Sequence, residues 1–89
     1  MGGRKTRDGI QLRNIEHALE SILDIKIRKG TKHRLIISKE GFSRPCLVGT
    51  STHARRNVVS WVKETTGYDN AELIYQGLRD GYLGFVNKL

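Results

Sequence analysis

The stretch Ile25–Val48, IKIRKGTKHRLIISKEGFSRPCLV, decides the fold. Ile25 and Ile27 alternate with Lys26 and Arg28, the two-residue period of a strand with one apolar and one charged face. Gly30 ends that run, and Lys32-His33-Arg34-Leu35-Ile36-Ile37-Ser38 reads as a second strand. Lys39-Glu40-Gly41 is a short turn, with glycine where a positive φ is most needed. Phe42 to Val48 is the third strand. Pro45 within it cannot donate to a ladder, so this strand belongs at a sheet edge or turns that amide outward. Three consecutive strands with short turns make an antiparallel meander.

Outward from the strands, the period returns to that of a helix on both sides. Leu12, Ile15, Leu19, Ile22 and Leu23 recur at three- and four-residue spacing, predicting an amphipathic helix over 10–23. Asp8 stands in the N-cap place, with Gln11 three residues on. Ala54, Val58, Trp61, Val62 and Thr65 predict a second helix over 53–66, capped by the hydroxyls of Thr50, Ser51 and Thr52 and stopped at Gly67. The fold class is therefore α+β, ordered α-β-β-β-α. Both helices lie on one face of a three-stranded antiparallel sheet, leaving the other face open to a ligand. Residues 1–9 read as a mobile basic tail, 10–67 as the domain, and 68–89 as a C-terminal extension. In the extension Asp69 or Asn70 caps a short helix through Leu78, and Asp80-Gly81 is a turn. Tyr82, Leu83, Phe85 and Val86 are too apolar for water. They are expected against the second helix near Trp61, or against a second copy of the chain.

With 89 residues the chain makes one small domain, since typical domains take about 100–150. At 37% apolar and 28% charged residues the composition is globular rather than disordered. The longest pure apolar run is Leu35-Ile36-Ile37, which argues against a transmembrane helix, and the basic N-terminus lacks the apolar stretch of a secretory signal. A lone cysteine, Cys46, excludes an internal disulfide and suits a reducing cytoplasm.

Charge is the loudest functional feature. Residues 26–56 carry nine Lys and Arg against Glu40 alone, which leaves +8, while the flanking thirds are neutral and −1. Such a one-sign segment between balanced ones reads as a docking surface for a polyanion, RNA or DNA first, an acidic protein or anionic lipid second. The residues expected to hold it are Lys26, Arg28, Lys32, Arg34, Arg55 and Arg56. Arg55 and Arg56 open the second helix, where free amides and the positive dipole end attract phosphate.

Other chemistry finds little support. His17, His33, Cys46 and His53 show no short ligand spacing, so no metal site is expected. Neither a G-x-x-x-x-G-K-[ST] nor a G-x-G-x-x-G loop is present, and no cofactor is implied. Cys46 in an apolar strand reads as a small buried hydrophobe. His17 lies mid-helix beside the charged face. His53 stands in the first turn of the second helix, where the dipole disfavours a charged ring. His33, flanked by Lys32 and Arg34, has its neutral form favoured, as suits a general base acting on an RNA 2′-OH. Its other reading is a histidine hydrogen-bonded at the mouth of the sheet.

Helix, strand, Gly30-Thr31-Lys32-His33, hairpin to Gly41, strand Cys46-Leu47-Val48 and a capped helix from Thr52 resemble the HicA-type mRNA interferase toxins. The resemblance runs from about Leu12 to Gly67 and includes Leu19-Glu20-Ser21 before the first strand. It implies a double-stranded-RNA-binding-domain fold, metal-independent RNA cleavage with His33 as the catalytic residue, and an antitoxin-like protein partner. The family's histidine comes two residues after the glycine; here that place holds Lys32. In a strand a one-residue shift turns a side chain to the opposite face. If Leu35 and Ile37 point to the core, His33 shares their side unless a bulge follows Gly30. Three readings stand: a non-cutting RNA-binding module, a HicA-like ribonuclease, and a protein-binding adaptor using its C-terminal apolar residues.

Overall fold

The structure is a computed structural model that describes residues 4–30 and 35–88. Helix α1 (Leu12–Glu20) leads into strands β1 (Ile25–Lys29), β2 (Leu35–Lys39) and β3 (Phe42–Val48). Helices α2 (Ala54–Thr66) and α3 (Ala71–Asp80) and a 3-10 turn (Gly84–Lys88) follow. The strands form one antiparallel sheet in the order β1-β2-β3, as their alternation predicts. Ile37 pairs with Ile27 on one side and Cys46 on the other. Between the pairs Ile37–Cys46 and Lys39–Phe42, Ser38 alone faces Ser43, Arg44 and Pro45, so β3 bulges at its proline. Pro45 has thus been accommodated both ways that its missing N–H allows, at an edge and in a bulge.

One sheet face carries the core. Leu35, Ile37, Cys46 and Val48 are buried beneath α1 and α2, with Ile25, Ile27 and Phe42 packed at the margin. Trp61 of α2 meets Phe42 edge-on at 6.2 Å, and its indole N–H donates to the Arg44 carbonyl at 2.8 Å. Helix α3 lies against α1 and α2. Among the described residues no helix is long and apolar enough to cross a membrane.

Three local expectations are corrected or completed. The segment from Arg4 to Gln11 is tied down rather than a mobile tail. Lys5 bridges Gln11, Leu12 donates its N–H to the Arg4 carbonyl at 2.8 Å, and Arg7 donates to Thr52 at 2.9 Å. This hook uses Ile10 as a buried anchor, so α1 begins at Leu12 and not at residue 10. Residues 1–3 lie outside the described residues. Secondly, Asp8 caps α2 instead of α1, 46 positions away in sequence: its Oδ1 accepts from Ala54 N at 2.9 Å and its Oδ2 from Arg55 N at 3.0 Å. The expected cap Thr52 is turned inward, where its hydroxyl accepts from Gly49 N.

Thirdly, the C-terminal residues are held at the end of α1 and beside Tyr68, a site the sequence did not specify. Leu83 and Val86 are buried in the chain's own core, while Tyr82 stays exposed. Leu83 N donates to Ser21 Oγ at 2.8 Å, and Asn87 bridges the Ser21 carbonyl and the Leu23 N–H. Phe85 meets Tyr68 edge-on at 5.2 Å. The helix that sends them there was anticipated: Asn70 caps α3, and Gly81 ends it at φ +85°. A Cβ on Gly77 would lie 2.5 Å from Leu83 Cδ2 and 2.6 Å from the Tyr82 carbonyl, so only glycine lets the returning chain cross α3 this closely.

Candidate nucleic-acid interface

The same alternation that half-buries Ile25 and Ile27 turns Lys26 and Arg28 to the opposite face of the sheet. Two cross-strand rows occupy that face. Arg28 stands opposite Ile36, which stands opposite Leu47; Lys26 stands opposite Ser38. Lys26, Arg28 and Leu47 are exposed, and neither Ile36 nor Leu47 belongs to the core. Neighbouring strands lie about 4.8 Å apart, so the Arg28–Leu47 row spans about 10 Å of backbone. Lys29 shares the inner face but is exposed where the strand ends.

The cations of the basic segment differ in what already holds them. Arg44 is paired with Glu64, and Arg55 with Glu72. Lys39 donates to the Leu23 carbonyl at 2.9 Å. Lys26, Arg28, Lys29 and Arg56 have no carboxylate partner among the described residues. The open sheet face therefore keeps its charge unpaired, whereas much of the surrounding charge is countered internally.

At the start of α2 the two adjacent arginines part company. Arg55 turns to α3, where its guanidinium lies 4.9 Å from the Tyr75 ring centroid as well as on Glu72. Arg56 turns to β3 and faces Arg44 across a groove of about 370 Å³, also lined by Leu47, Asn57, Ser60 and Trp61. The amides of Ala54 and Arg55, expected free for phosphate, are taken by Asp8. Arg55 is thus separated from Lys26 and Arg28, and the helix end acts as a structural joint. Lys32, Arg34 and His33 lie outside the described residues. Leu35 and Ile37, whose facing sets the register argument for His33, are both buried.

Asp8 is the most constrained titratable group. Burial alone would raise its pKa, but hydrogen bonds from the Thr6 hydroxyl and from Ala54 and Arg55 outweigh it and hold the carboxyl well below the usual range. Tyr75 donates its hydroxyl to the same carboxylate at 3.2 Å. Burial first, then the charge of Asp8, raises the phenol's pKa and keeps it a neutral donor. His53 Nδ1 is 3.7 Å from Asp8 Oδ2, beyond a hydrogen bond. Burial pushes the Cys46 thiol up to about 11, so at neutral pH it is the inert small hydrophobe that its strand predicts. Among the described residues no three His, Cys, Asp or Glu side chains gather where they could hold a metal ion.

No family model, no curated protein and no solved structure matches this chain. Sequence reasoning missed Arg44, Asn57 and Ser60 as companions of Arg56. The i, i+4 spacing of Arg56 and Ser60 was the available signal. For Arg44 there was none, because the bulge at Pro45 breaks the alternation by which its side chain would be placed.

Proposed function

We propose that this chain is a small basic RNA-binding domain that engages the phosphate backbone with its open sheet face. The observation that carries the reading is the pair Lys26 and Arg28. They stand on an uncovered face with no salt-bridge partner among the described residues, although Asp24 and Glu40 border Lys26, inside the segment holding all of the net positive charge. Lysine and arginine that are not ion-paired release counterions when they meet phosphates, which makes binding strong at low salt and sequence-independent. Lys32 and Arg34, adjacent in sequence to β2, extend the same basic run. Arg56 contributes from α2, and Arg55 serves the joint with α3 instead.

A second reading is favoured by the resemblance to HicA-type toxins: the domain cuts the RNA it binds, with His33 as general base and an antitoxin-like partner to restrain it. One experiment addresses both readings. Purified protein is incubated with labelled RNA at low and rising salt and scored for retardation and for cleavage. The binding reading expects retardation whose log affinity falls with log salt by about 0.7 per single-strand phosphate contact. Salt-independent binding, or none at low salt, would refute it. The ribonuclease reading expects cleavage without added metal that His33→Ala abolishes while retardation persists. A positioned base is worth roughly 10²–10⁴-fold, so the loss is easily read. RNA that stays whole at high protein concentration removes that reading and leaves the first intact.

A further inference from the structure

We infer that the groove between β3 and α2 is a second contact line for the same RNA, and that the strand it takes is single and read without regard to base. The inference rests on the RNA-binding reading above.

Three observations lead to it. The groove is continuous with the open face, because Leu47 ends the Arg28–Ile36–Leu47 row and also forms one lip of the groove. A strand laid over Arg28 is carried along that row to Arg56. The α2 wall is rich in donors. Arg56 and Ser60 are one helical turn apart on the same side, with Asn57 beside them, and all three are exposed. An arginine, an amide and a hydroxyl in one line suit successive backbone oxygens of a polyanion better than a compact neutral ligand. The far end is closed by the pair of Arg44 with Glu64, which lies one further turn along α2. Arg44 is thus a cation at the groove that is already paired with a carboxylate.

The strand type follows from size and from what is missing. A volume of about 370 Å³ lies at the low end of small-ligand pockets, room for one stretch of backbone, and the duplex competitor below tests whether that stretch must be single. Neither the groove nor the open face offers an aromatic platform for bases: Trp61, the one aromatic lining the groove, is only 2% exposed, the two rows across the face hold none, and the exposed Tyr82 belongs to neither. Base stacking, the usual neutral contribution to single-strand binding, is therefore small here, and phosphate contacts dominate.

The test is fluorescence anisotropy of a labelled single-stranded oligouridylate, with oligoadenylate and a self-complementary RNA duplex as competitors, across a salt series. The full chain is compared with Arg56→Gln, Ser60→Glu and Glu64→Gln, each at an exposed position and each checked by thermal melting. The salt slope should drop by about 0.7 in Arg56→Gln, one single-strand contact, and rise by up to about 0.7 in Glu64→Gln, where Arg44 is released. Ser60→Glu should weaken binding in the same direction as Arg56→Gln. Oligoadenylate should compete as well as oligouridylate, and the duplex poorly. If Arg56→Gln and Ser60→Glu bind like the parent while Lys26→Gln with Arg28→Gln loses binding, the groove inference fails and the sheet-face reading survives. A duplex that competes on equal terms also overturns it. A parent chain that binds no RNA at low salt overturns both.

Discussion

The two faces of the sheet come from the same three strands and differ in nearly everything else. One face presents Ile27, Leu35, Ile37, Cys46 and Val48 to the helices, and Ile37 and Val48 are wholly buried. The other presents Lys26, Arg28, Ile36, Ser38 and Leu47 outward. Stability is concentrated on the first, because buried apolar area is what holds so small a domain together. The second is left with charges that contribute little to folding and so can be chosen for a ligand. The comparison teaches that the strands' alternation separates core residues from solvent-facing ones one position at a time.

The strongest way to break it is to truncate neighbouring isoleucines on opposite faces. Ile37→Ala should cost about 2–5 kcal/mol, a large share of a domain's total stability, whereas Ile36→Ala should cost under about 1 kcal/mol. Denaturant titration of both decides it, and equal losses would mean that the open face is covered.

Asp8 seals the covered side from its far end, and its removal ranks next. Asp8→Asn should cost about 1–3 kcal/mol, because the amide keeps one acceptor oxygen but loses the charge and sets an NH2 where the carboxylate accepted a second N–H. Because the folded pKa is depressed, the contribution is complete at neutral pH. It is lost as pH falls below the unfolded value of about 3.9 and towards the folded one. The gap between parent and Asp8→Asn in thermal midpoint should accordingly shrink below about pH 4. A gap unchanged into acid would show that the carboxylate's charge does not matter.

Gly77→Ala sharpens the same side. The added methyl meets Leu83 and the Tyr82 carbonyl, so the C-terminal segment must shift, at about 1–3 kcal/mol by the usual cost of overpacking. An alanine variant as stable as the parent would place that crossing more loosely. The smallest effect on folding belongs to the open face: Lys26→Gln with Arg28→Gln should change stability by under about 0.5 kcal/mol per site while lowering the salt slope of RNA binding by about 1.4. A pair that unfolds the domain, or leaves the slope alone, would end the division of labour between the faces.

By itself the sequence determined the elements and their faces. Apolar spacing is a local property, so the periods over Leu12–Leu19, Ile25–Val48 and Ala54–Thr65 could be read without contacts, as could the stop at Gly67. The pattern runs on, though, to Leu23, which lies beyond α1 and is exposed, and it leaves the cap of α3 between Asp69 and Asn70. The cationic face was legible for the same reason: Lys26 and Arg28 alternate with isoleucines. What only the tertiary structure decided are the pairings between distant positions. Asp8 fits the pattern of a cap for the helix that follows it. Yet a hook from Arg4 to Gln11 delivers it to Ala54, because a carboxylate serves any unsatisfied amides that the fold brings within reach. Arg55 and Arg56 look interchangeable in sequence, but one residue along a helix is a turn of about 100°. It sends Arg55 to Glu72 and Tyr75 and Arg56 to the groove. Arg44 entered that groove through the bulge at Pro45, a register change that no periodicity announces. Tyr82 to Asn87 were legible as apolar but not as addressed, since hydrophobicity is non-directional and only the crossing at Gly77 aims them at Ser21.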